Sequence, residues 1–153
     1  MSLPDITSQG YLPGGDHEAT WDEMAARFGA GRRRQEILRG LEYVTDRLRA
    51  HGVQKIWLDG SFVTDRLRPS DVDVVYRIEP GADRADWPDV GKSRHQYLKT
   101  AYRVDLWRHP SPQPRKNSIG HGAGKLQEPI KNWFETDREG TPKGLVLLIF
   151  PEE

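Results

Sequence analysis

Asp71 and Asp73 stand one residue apart in "SDVDVVYRI", a stretch otherwise built from residues that favour a sheet. In a strand, residues i and i+2 project to the same side, roughly 6.5–7 Å apart along the backbone. Two carboxylates held that close oppose each other's ionisation unless a cation lies between them. Mg²⁺ suits such a pair, since it takes hard oxygen ligands and pairs carboxylates with substrate phosphates. Asp105, in Val104-Asp105-Leu106, is a third acid in an apolar-flanked stretch. Were its strand to neighbour that of Asp71 and Asp73, the interstrand spacing of about 4.7–4.9 Å would bring three carboxylates to one spot. Three acids can hold two metal ions about 3.5–4 Å apart, the clamp used for in-line phosphoryl chemistry. Upstream, Gly60-Ser61 ends an apolar run. Glycine lets a phosphate approach the backbone, and a helix start after it would offer N–H groups to an anion.

The elements that must position these residues follow from periodicity. "TWDEMAARFG" predicts a short helix, with Thr20 and Glu23 as a capping box and Trp21, Met24, Ala25 and Phe28 on one face. A second helix is predicted from about Arg32 to Ala50, with Ile37, Leu41, Val44 and Leu48 as its apolar stripe and Gly52 after its end. "VQKIWLDG" predicts the first strand, and "SFVTDRL" a short helix before Pro69. "DVDVVYRI" is the second strand, with Val72, Val74, Tyr76 and Ile78 on one side and Asp71, Asp73, Val75 and Arg77 on the other. A helical patch at "SRHQYLKTAY" precedes a third strand, "YRVDLWR". Residues 109–124 predict a long loop, residues 125–136 a short helix, and "LVLLIF" a final strand apolar on both faces and hence buried. Residues 1–19 predict an irregular arm, ahead of a single domain over 20–153. The expected fold is a small α/β (α+β) domain: a mixed sheet of about four strands with helices on one face.

Composition narrows the partners. The 153 residues carry 23 basic and 23 acidic side chains, so there is no global positive field to gather a polyanion. A local basic patch is still open, with Arg32, Arg33 and Arg34 consecutive. Cysteine is absent, which excludes disulfides, zinc-thiolate sites and thiol nucleophiles within this sequence. No apolar run reaches membrane-spanning length, and "MSLPDITSQG" lacks the pattern of a signal peptide. A cytoplasmic protein with no membrane contact is the expectation.

Gly60-Ser61, nine intervening residues, Asp71-Val72-Asp73-Val74, and then Val104-Asp105-Leu106 together resemble the motif set of the polymerase-β-like nucleotidyltransferase superfamily. The opening "LPGGDHEATWDEMAARFG" and the ending "FETDREGTPKGLVLLIF" also resemble small, uncharacterised bacterial nucleotidyltransferase-like proteins. The resemblance implies a nucleotidyltransferase-like fold and Mg²⁺, as two ions, held by Asp71, Asp73 and Asp105. It implies that Gly60 and Ser61 hold ATP or another nucleoside triphosphate, and that Asp105 aids metal binding or takes the acceptor's proton. The implied reaction moves a nucleoside monophosphate to a hydroxyl on a protein or RNA acceptor and releases pyrophosphate. Larger superfamily members carry a helical second domain that this chain has little length to build, and small ones often carry Arg-Gly where "FVTDRLRPS" stands here. A nucleotidyltransferase-fold binding module, paired with a partner protein in a toxin–antitoxin or phage-defence system, is therefore the alternative.

Other residues have plainer readings. An acid–apolar–acid triplet also occurs at solvated sheet edges and in sugar-nucleotide glycosyltransferases. Asp59 and Asp65 read as turn or surface residues, and His17 as a loop residue before the helix cap. His121, with Arg115, Lys116 and Lys125, reads as part of a solvated loop that could also meet a triphosphate or an acceptor. Arg32–Arg34 read as a solvated helix start, but positive charge there opposes the helix dipole and hints at a nucleic-acid or partner contact. Trp57, Trp107 and Trp133 read as core.

Overall fold

The structure, a computed structural model, describes residues 3–77, 92–109 and 139–150. The expected loop at 109–124, apart from His109, and the expected helix at 125–136 lie outside these residues, as do His121 and Trp133. Five strands form one mixed sheet: β1 (Gly15–Thr20), β2 (Lys55–Asp59), β3 (Val72–Arg77), β4 (Val104–His109) and β5 (Gly144–Ile149), in the order β1-β5-β2-β3-β4. β2 runs antiparallel to both β3 and β5, while β1 is parallel to β5 and β4 parallel to β3. The sheet thus has one strand more than expected. The additional strand, β1, comes from the arm that was expected to be irregular.

Helices α1 (Trp21–Phe28), α2 (Arg32–Ala50) and α3 (Lys92–Tyr102) connect the strands. α1 starts on the expected capping box: Thr20 Oγ1 accepts from Glu23 N at 3.2 Å, and Thr20 N donates to Glu23 Oε1 at 2.9 Å. α2 buries Ile37, Leu41, Val44 and Leu48 on the face of the sheet that carries Ile56, Leu58, Val72, Val74, Tyr76, Val104 and Leu106. This apolar layer is the main core, and α1 and α3 add Met24, Phe28 and Leu98 to it. Gly40 lets α2 close on the end of α3, because a Cβ there would lie 2.2 Å from Tyr102 O. No described helix is long and apolar enough to cross a membrane.

On the opposite face, Trp57, Val75 and Leu145 form a smaller cluster against which Trp107 and Leu147 pack. Trp57 Nε1 donates to Asp16 Oδ2 of β1 at 3.1 Å, fixing the indole on this face. Strand alternation then puts the residues two positions from Trp57, Val75 and Trp107 on the same side: Asp59, Asp73 and Asp105. His17, expected in a loop, lies in β1, where Nε2 pairs with Pro13 O at 2.6 Å.

Candidate functional site

The register builds a row of acids across three strands. Asp59 faces Asp73 across the β2–β3 pair, and Asp73 faces Asp105 across the β3–β4 pair. Asp71 precedes β3 by one residue, on the side of Asp73. The expected adjacency of the second and third strands holds, because α3 is the crossover of a parallel β3–α3–β4 unit. Val72 N donates to Arg103 O at 3.0 Å, which ties the two strand starts together. Arg103 takes a φ of +57°, so the chain reverses abruptly out of α3 before Val104.

Asp59 was expected at a turn or on the surface, and the structure corrects this. It is the last residue of β2, only 2% exposed, and its Oδ2 lies 3.7 Å from Lys143 Nζ. Burial pushes its carboxyl up to about 6, with Lys143 and the Gly60 backbone opposing the shift. Asp73 is pushed up to about 7, first by burial and then by the charges of Asp105, Asp71 and Asp59. Asp71 is raised as well, mainly by burial, with Lys99 opposing. Asp105 is 8% exposed, and Lys99 Nζ stands 3.6 Å from its Oδ2. Asp65, also expected at a turn or on the surface, is exposed.

Gly60 touches this row. Its φ is +86°, and a Cβ built on it would lie 2.5 Å from Asp73 Oδ2. The turn after it is shorter than expected: a single 3₁₀ turn, Ser61–Val63, closed by Val63 N donating to Gly60 O at 3.2 Å. Gly60 and Ser61 line a cleft of about 320 Å³, together with Tyr11, Asp59, Arg66 and Lys143. A cleft of this size sits at the lower end of the range for small-ligand sites.

Arg34 holds the turn in place from behind. Expected at a solvated helix start, it is buried instead, and its guanidinium donates to Phe28 O, Phe62 O, Thr64 O and Arg66 O. Burial draws its pKa below the usual arginine value, opposed by the charge of Asp65. Arg33 Nη1 donates to Pro69 O at 3.2 Å and Arg103 Nη1 to Ser70 O at 3.3 Å, so three arginines fix the segment leading into Asp71.

The donor set is all carboxylate oxygen, which suits Mg²⁺ or a similar hard cation. Burial and mutual repulsion raise the carboxyl of Asp73 toward neutral pH, and a bound cation relieves that strain. Among the described residues, no three acid or imidazole side chains converge as a preformed ligand set. The register therefore supplies adjacency, while side-chain torsions would have to close the ligand shell.

Over residues 4–149 the chain matches a family described as a family of unknown function, DUF6932. The chain belongs to that family. No curated protein and no solved structure matches it. The match covers all five strands, so the acid row and the Gly60-Ser61 turn both fall within the family's span.

Proposed function

We propose that the chain is a Mg²⁺-dependent nucleotidyltransferase that moves a nucleoside monophosphate from ATP or another nucleoside triphosphate to a hydroxyl on a protein or RNA acceptor. One observation carries this reading: Asp73 and Asp105 are register partners on adjacent parallel strands, with Gly60 pressed against the Asp73 carboxylate. Asp71, Asp73 and Asp105 would hold the metal, as two ions. Bound there, Mg²⁺ neutralises charge on the transferring phosphoryl group and on the departing pyrophosphate.

The chain's own groups do the rest. Gly60 and Ser61 let phosphate oxygens approach the backbone in the 320 Å³ cleft, where Lys143 supplies positive charge. The acceptor oxygen attacks the α-phosphorus in line, the α–β phosphoanhydride bond breaks, and pyrophosphate leaves with its electron pair. Asp105 takes the proton of the acceptor hydroxyl, a role worth about 10²–10⁴ in rate for a positioned general base.

A second reading is favoured by Asp59. It places a buried carboxyl in the same cleft where a triphosphate would sit. An acid there opposes phosphate binding, as expected if the fold acts as a binding module with a partner protein. Transfer of labelled nucleotide in the presence of Mg²⁺, comparing wild type with Asp71→Asn/Asp73→Asn, tests the enzyme. Loss of at least ~100-fold is expected, from the scale of metal and general-base contributions; undiminished transfer removes these acids from the mechanism. Calorimetry separates the readings, since the binding module shows no Mg²⁺-dependent heat with a nucleoside triphosphate.

A further inference from the structure

The chain is neutral overall, yet one side of α2 is strongly basic. A cleft of about 460 Å³ at the start of α2 is lined by Arg32, Arg33, Arg68 and Arg103, with Glu36 as its one acid. A second depression of about 270 Å³ shares Glu36 and Arg103 with the first and adds Arg39 and Tyr102. Arg103 pairs with Glu36 at 3.5 Å, which leaves the other guanidinium groups as surplus positive charge along the two clefts.

The clefts continue into an aromatic cluster. Tyr43 stacks on Tyr102 with centroids 4.7 Å apart and planes at 14°, and Tyr97 meets Tyr102 edge-on at 5.9 Å. Arg47 lies over the Tyr43 ring at 5.5 Å. Tyr43 is 40% exposed and Tyr97 52% exposed, among the few large apolar groups left in solvent. Arg32, Glu36, Arg39, Tyr43 and Arg47 recur every three or four residues, so they share one face of α2. That stripe runs roughly 22 Å by helical rise.

We propose that this face is a binding track for single-stranded nucleic acid. Guanidinium forks match phosphate oxygens two at a time. Exposed aromatic rings stack bases without regard to sequence, and the combination of a basic groove with such rings is how proteins hold single strands. An acidic polypeptide would use the arginines but would have no use for the Tyr97 ring. The track and the acid row lie on opposite faces of the sheet and approach each other at its end, where Arg103 immediately precedes β4 and donates to Ser70 O beside Asp71. As the acceptor site of the transferase, the track rests on the nucleotidyltransferase reading; binding of the strand does not.

The test is fluorescence anisotropy with labelled 12-nucleotide single strands, one of RNA and one of DNA, without Mg²⁺ or nucleoside triphosphate. Wild type is expected to bind single strands at low salt, with weaker binding to the matching duplex and log affinity falling linearly with log salt. Arg32→Glu/Arg68→Glu should lose at least tenfold in affinity and flatten the salt slope by about 0.7 for each phosphate that is no longer neutralised. Tyr97→Ala should weaken binding about tenfold with an unchanged salt slope, as stacking on one base predicts. Asp73→Asn should bind as wild type does, so that a failed transferase and a failed track give different results. Absent binding, equal affinity for the duplex, full competition by polyglutamate, or indifference to the tyrosine change would each overturn the proposal. The RNA and DNA arms decide which strand the track prefers.

Discussion

Gly60 combines a φ of +86° with a ψ of −168°, a region that residues with a Cβ enter only under strain. Its bare Cα lets Asp73 Oδ2 come within 2.5 Å of where a Cβ would stand, so backbone conformation and carboxylate placement depend on the same missing side chain. Gly60→Ala should therefore cost about 1–3 kcal/mol through backbone strain. It should also displace the Asp73 carboxylate, which extra strain at a remote turn would not do. Thermal unfolding reads the first effect; calorimetric titration with Mg²⁺ reads the second, expected as weakened binding. A variant with wild-type stability and wild-type Mg²⁺ binding would show that the close approach is incidental. Ser61 has no comparable constraint: it opens the 3₁₀ turn without a positive φ and lines the cleft wall.

At the scale of elements, α2 has two jobs: it covers the sheet, and through Arg34 it fixes the turn that follows β2. The four carbonyls that Arg34 satisfies come from the end of α1 and from residues 62–66, none of which closes a regular hydrogen-bond ladder of its own. Arg34→Met keeps the length and apolar stem but orphans those acceptors. It should cost at least about 3 kcal/mol, and Arg34→Lys should recover little because an ammonium lacks the planar fork. For a chain of this size that is a fall of roughly 6–12 °C in Tm. An Arg34→Met protein that melts with wild type would sink this account of the turn.

The signal for Arg34 is present in the sequence: it stands three, four and seven residues before Ile37, Leu38 and Leu41, on the apolar stripe. Two neighbouring arginines mask it, since a run of like charges reads as solvated. β3 was legible because period-two alternation survives on both of its faces, and α1 and α2 because their apolar stripes and the cap of α1 agree. β1 was not, because "GDHEAT" is an edge strand that buries Ala19 alone and so shows no alternation. Asp59 was missed for a different reason: it falls inside the expected strand "VQKIWLDG", but an acid before Gly-Ser has the composition of a turn, and only burial and pairing with Asp73 show that it belongs to the acid row.

For the molecule as a whole, the acid row sets how stability follows pH. Asp59 and Asp73 both have carboxyls raised from 3.8, to about 6 and about 7. Between those limits the folded chain keeps protons that the unfolded chain has released, so stability must fall as pH rises through this window. Below it both states are protonated at these sites, and above it both are ionised, so the loss stops at each end. The direction is opposite to that of a salt-bridged carboxylate, and it follows from acids gathered without a cation. Asp73→Asn isolates the effect, because the amide stands in for the protonated acid at every pH. The variant should match wild type at about pH 3, below the window, and be more stable at pH 8 without divalent cations, by at least about 1 kcal/mol, or roughly 2–4 °C in Tm. Mg²⁺ well above its dissociation constant should then raise the wild-type Tm at pH 8, since a ligand of the folded state alone stabilises by mass action. The same addition should leave Asp73→Asn almost unmoved. A Tm difference that is constant across pH would mean that Asp73 is solvated rather than pressed among its neighbours. A Mg²⁺ response equal in both proteins would move the cation away from the acid row, and with it the chemistry proposed for Asp71, Asp73 and Asp105.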